Sequence, residues 1–128
     1  MSRVNDPQVE FLESCATADG ATLGEGAFGP GPALWVGKRE VAHFDGPLTL
    51  DVRLTRGVIR SRRTELKNDE RVKLRAPSSD WLELDLQVDR EIEWARRLVH
   101  DAIAANLPTA PPGAPPERSE LERRRRFH

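Results

Sequence analysis

In "LTLDVRL" (48–54), Leu48, Leu50, Val52 and Leu54 alternate with Thr49, Asp51 and Arg53. A period of two puts successive side chains on opposite faces, so this segment predicts a half-buried strand and not a helix. Four neighbours are of the same kind: "ALWV" (33–36), "EVAHF" (40–44), "RVKLR" (71–75) and "WLELDL" (81–86). Gly37-Lys38, Asp45-Gly46-Pro47 and "APSSD" supply short turns between them. Five short one-sided strands joined closely imply an antiparallel sheet whose apolar face needs a cover.

Three helical patterns supply it. Asp6-Pro7 is an N-cap followed by a first-turn proline, and Val9, Leu12, Cys15 and Ala16 make a short apolar stripe after it. Thr55 reads as the cap of a helix running to about Asn68, with Val58, Ile59, the stem of Arg62 and Leu66 inward. From Asp89, Ile92, Ala95, Leu98, Val99, Ala102 and Ile103 recur at spacings of three and four, with Trp94 at the core margin. Segment 20–32, rich in glycine and proline, reads as an irregular connector. The expected fold is an α+β two-layer sandwich: a five-stranded antiparallel sheet with helices on one face, in the order α-β-β-β-α-β-β-α.

A chain of 128 residues supports one core, placed in 1–106. Residues 107–128 hold five of the ten prolines after Leu107 and few apolar groups, so they read as a disordered tail. Its "ERSELERRRRF" segment has the composition of a short helix formed against a partner. Net charge is −1, so no global field draws the chain to nucleic acid or anionic membrane. The single cysteine, Cys15, forms no internal disulfide, the N-terminus is polar, and no apolar run approaches a membrane span. Those features point to a cytoplasmic protein with no membrane partner.

Motifs for named chemistries fail on context. Gly24-Glu25-Gly26-Ala27-Phe28-Gly29 fits G-x-G-x-x-G, but Pro30-Gly31-Pro32 follows where a dinucleotide site needs a helix. His43, His100 and His128 are dispersed and no cysteine pair exists, so no metal site is expected. Cys15 lies on an apolar face, and Ser78-Ser79-Asp80 are turn-formers and caps.

The polar side of the sheet is the better candidate. A two-residue hairpin loop would turn His43 inward. A three-residue loop, Asp45-Gly46-Pro47, pairs Phe44 with Leu48 and Ala42 with Leu50, and buries Phe44 with the leucines. In that register His43 faces outward, opposite Thr49 and diagonal to Asp51, with Arg53, Trp81, Glu83, Asp85, Arg71, Lys73 and Arg75 on the same side. An imidazole beside a carboxylate is oriented and made more basic by it. The candidate ligand-binding set is His43, Asp51, Trp81 and Arg53. Polar cross-strand pairs of this type also occur on any one-sided sheet.

A second candidate is electrostatic. In 55–75, Arg56, Arg60, Arg62, Arg63, Lys67, Arg71, Lys73 and Arg75 face only Glu65, Asp69 and Glu70, a local charge of +5. Residues 76–106 carry three cations against seven acids, or −4. Arg56, Arg60, Arg63, Lys67, Arg71 and Lys73 thus form a basic stripe suited to nucleic acid or an acidic partner, extended by Arg123 to Arg126. The alternative is a solvated helix face paired with the acidic helix beside it.

"GPALWVGKREVAHFDGPLTLDVRLT" and "SDWLELDL", with the basic helix between them and the closing helix, resemble the luciferase-domain family, over about residues 29–106. That family is named for the fungal luciferase and includes small bacterial members. The resemblance implies a shared fold and no cofactor. Where the fungal branch has His-x-His before "DGS", His43 matches the first histidine and Asp45 stands at the second, so light-emitting or oxidative chemistry does not carry over. A weaker resemblance is to the MmcQ/YjbR double-wing proteins, through "VAHF", the "VRL" strand and the "W-φ-x-φ" strand. Proteins of that family have been labelled DNA-binding, which implies the basic-stripe role. The leading expectation is a luciferase-like domain that binds a small organic ligand or a protein around His43. The alternatives are binding through the basic stripe and partner capture by the tail.

Overall fold

A computed structural model describes residues 7–16, 20–27, 31–86 and 92–107. Its elements run α1 (Pro7–Ala16), β1 (Thr22–Glu25), β2 (Pro32–Val36), β3 (Arg39–Phe44), β4 (Thr49–Val52), α2 (Arg56–Ser61), α3 (Arg63–Lys67), β5 (Val72–Leu74), β6 (Leu82–Asp85) and α4 (Glu93–Asn106). Every strand pairing is antiparallel, in the spatial order β1-β2-β3-β4-β6-β5. The α+β sheet-and-helix architecture is as expected, with two corrections. The sheet has six strands, because Thr22–Glu25 of the expected connector pairs along β2. The middle helix is two short ones that meet at Arg62.

The helices pack on the leucine face. Phe11, Leu12 and Cys15 of α1, and Trp94, Ala95, Val99, Ala102 and Ile103 of α4, close over Leu34, Val36, Ala42, Leu50, Val52, Leu82 and Leu84. Trp94 is a full core member and not marginal, with the Arg71 guanidinium 4.1 Å from its ring centroid. Arg71 therefore lies against α4 instead of pointing out from the sheet. Asp6, Asp89 and the tail beyond Leu107 lie outside the described residues.

Two local devices position the polar face. The hairpin closes with the Asp45 N–H donating to the Thr49 carbonyl at 2.8 Å, so Phe44 pairs with Leu50 and His43 with Asp51. This corrects the expected register by two residues. The shift preserves which face each side chain takes, since the pleat repeats every two. It leaves Leu48 exposed in the loop beside Gly46, whose φ of +97° is the left-handed conformation glycine adopts freely.

The expected Thr55 cap is also corrected. Thr55 makes no side-chain cap bond; its φ of +78° is strained for a β-branched residue. Asp80 caps the helix from across the fold. Its Oδ1 accepts from the Arg56 N–H at 2.8 Å, its Oδ2 from Arg53 Nη2 at 3.2 Å, and its carbonyl from the Thr55 N–H at 2.9 Å.

Candidate functional site

Paired residues of a sheet share a face, so Ala33, His43, Asp51, Glu83 and Lys73 form one row across β2, β3, β4, β6 and β5. The row lies on the side away from the helices. Regular alternation would put Glu40 on the other side, with Ala42. A bulge between β2 and β3 prevents it: Leu34 pairs with Ala42 but Trp35 pairs with Glu40, leaving Val41 as the extra residue. Glu40 is thereby brought to the face of His43.

A continuous chain of charged groups results. Glu40 Oε1 accepts from the Ala27 N–H at 2.7 Å, and Glu40 Oε2 lies 3.0 Å from His43 Nδ1. His43 Nε2 is 3.0 Å from Asp51 Oδ2. Asp51 Oδ1 is 3.1 Å from Arg75 Nη2, which also reaches Glu83 Oε1 at 3.2 Å. The Glu40–His43 and Arg75–Asp51 contacts are close ion pairs without hydrogen-bond alignment, whereas the His43–Asp51 and Arg75–Glu83 contacts have both. Glu40 and Asp51 are each only 4% exposed, although they lie outside the apolar core. The Trp81 indole lies beside His43, with ring centroids 5.1 Å apart.

The arrangement favours the charged form of His43. Burial of the ring opposes its charge, but the hydrogen bond and charge of Asp51, then those of Glu40, outweigh it and raise the His43 pKa above its usual value. A neutral imidazole has one N–H and satisfies one carboxylate. Only the imidazolium carries an N–H and a share of positive charge toward both neighbours. With both nitrogens engaged, His43 is not poised as a general base.

The expected set comes together in part. His43, Asp51 and Trp81 are adjacent, with His43 opposite Asp51 and not diagonal to it. Arg53 is drawn instead to Asp80, and its Nε is buried without a hydrogen-bond partner among the described residues. Glu40 was missed, because strand alternation gives no warning of a bulge. Oxygens of Asp45, Asp51 and Glu83 lie within 4.8 Å of one another, a donor set of the hard-cation kind. Arg75 already sits between two of those carboxylates and supplies their positive charge.

The basic stripe divides. Arg71 is bound to Asp69 through two nitrogens, and Lys73 belongs to the sheet row opposite Glu83. Arg56, Arg60, Arg63 and Lys67 remain together on α2 and α3, all exposed.

In G-x-G-x-x-G, Gly24 lies inside β1, beneath the Trp35 indole, and the next described element is a strand. A β-carbon at Gly24 would come within 3.3 Å of Trp35 Cδ1, so this glycine serves indole packing. No helix of the described residues is long and apolar enough to cross a membrane.

No protein-family model matches this chain, and no curated protein or solved structure matches it either.

Proposed function

We propose that this chain is a luciferase-like binding domain whose ligand, a small organic molecule, docks on the polar sheet face at Trp81 and His43. The observation that carries this reading is the burial of Glu40 and Asp51 on either side of His43, away from the core. Buried ion pairs contribute little net stability compared with apolar residues of the same size, so the fold alone does not call for this one. Trp81 offers a flat apolar surface, while Glu83 and Asp45 present carboxylates to hydrogen-bond donors. The ligand chemistry that fits is a small ring system bearing hydroxyl or amino groups.

The test is a screen of small hydroxylated and amino-substituted aromatic compounds, read by NMR at the Trp81 indole N–H and the His43 ring. Shifts confined to Trp81, His43 and Glu83, and lost in Trp81→Ala, are expected. Absence of any such shift, or shifts that persist in Trp81→Ala, would overturn the reading.

A further inference from the structure

Charge pairing separates the cations of segment 56–75 into two groups. Arg62 is tied to Asp101 at 2.7 Å, Arg71 to Asp69 at 2.8 Å, and Arg75 to Asp51 and Glu83. Arg56, Arg60, Arg63 and Lys67 make no side-chain ion pair or hydrogen bond among the described residues. Among the described residues, the expectation that the acidic neighbour helix neutralises the stripe therefore holds for Arg62 alone.

The four unpaired cations lie on two consecutive short helices. The Arg62 N–H donates to the Val58 carbonyl and closes α2, and the Leu66 N–H donates to the Arg62 carbonyl and opens α3. Arg56 and Arg60 are four residues apart on α2, and Arg63 and Lys67 are four apart on α3, so each pair shares a face of its own helix. Ile59 and Leu66 are buried and Val58 and Arg62 half-buried, while all four cations are exposed. Among them lie Gly57, Ser61 and Thr64, all small and exposed, with open space around the Gly57 Cα.

We infer that this ridge binds the phosphodiester backbone of a double-stranded nucleic acid, independently of base sequence. Two exposed cation pairs flanked by small residues let a polyanion approach both helices closely. Three of the four are arginines, whose planar fork matches phosphate. A single strand would call for stacking aromatics, and an anionic membrane for exposed apolar groups; the ridge has neither. This site is separate from His43 and does not depend on the ligand proposed there.

The test uses the full chain and a fluorescent mixed-sequence DNA duplex, with anisotropy measured between about 50 and 200 mM salt. Each neutralised phosphate contributes roughly 0.9 to the slope of log affinity against log salt. The double variant Arg60→Gln/Arg63→Gln should lower that slope by about 2, while Arg97→Gln, an exposed arginine on α4, leaves it unchanged. A duplex RNA should bind with a similar slope, and vesicles of anionic lipid should not compete. The inference is overturned if the double variant keeps the wild-type slope, which would place binding in the arginine-rich tail. It is equally overturned if Arg97→Gln has the same effect, if no duplex binds, or if the vesicles displace DNA.

Discussion

The two faces of the sheet bury side chains by different physics. On the helix side, Leu34, Leu50, Leu82 and Leu84 are completely buried and depend on no particular partner, because apolar contact is non-directional. On the other side, Glu40 and Asp51 are nearly as buried, yet each is tolerable only because a specific charged neighbour lies about 3 Å away. The first face specifies that a compact sandwich forms. The second fixes register: a one-residue slip would separate His43 from Asp51 and turn the leucines to solvent, so both faces select the same alignment.

The contrast can be broken by substitution. Leu84→Ala should cause the largest loss, about 4 kcal/mol in urea unfolding, from lost transfer energy and the cavity left behind. Asp51→Asn should cost about 3 kcal/mol, since it removes the charge facing both His43 and Arg75 while keeping the volume. If that variant were neutral, the polar face would be a solvated surface and the comparison would fail. Asp80→Ala, which removes the cap of α2, should cost about 1 kcal/mol and be visible in the same titration.

The smallest effect is pH dependence. His43 has a raised pKa in the folded state, so its contribution is complete below the unfolded value of about 6.5 and is lost as pH rises through the higher folded value. The loss is partial, because a neutral ring keeps one carboxylate hydrogen bond. Unfolding curves collected across that interval should show declining stability in the wild type. A His43→Gln variant should lack this component.

Much of this was legible in the sequence where burial is periodic. Leu50, Val52, Leu82 and Leu84 announced their strands by alternation, and Ala95, Val99, Ala102 and Ile103 announced α4 by three- and four-residue spacing. β1 was not legible, because an edge strand exposed at all four positions has no apolar face to repeat. Phe11 was absent from the α1 stripe, which Val9 was expected to lead; Phe11 packs edge-on against Phe44 at 6.0 Å.

At the candidate site, the shared face of His43 and Asp51 followed from hairpin parity, but their direct pairing did not, because the register was two residues off. Glu40 and Asp80 were hidden for another reason. One is aimed by a bulge and the other acts across 24 residues of sequence, and neither displacement has a periodic signature.

The central claim is that His43 is a cation held between Glu40 and Asp51. Titration of the His43 ring by NMR, in the wild type and in Asp51→Asn, tests it most directly. A pKa above the usual histidine value of about 6.5, falling in Asp51→Asn, is the predicted result. A value at or below that figure, unchanged by the substitution, would contradict the account.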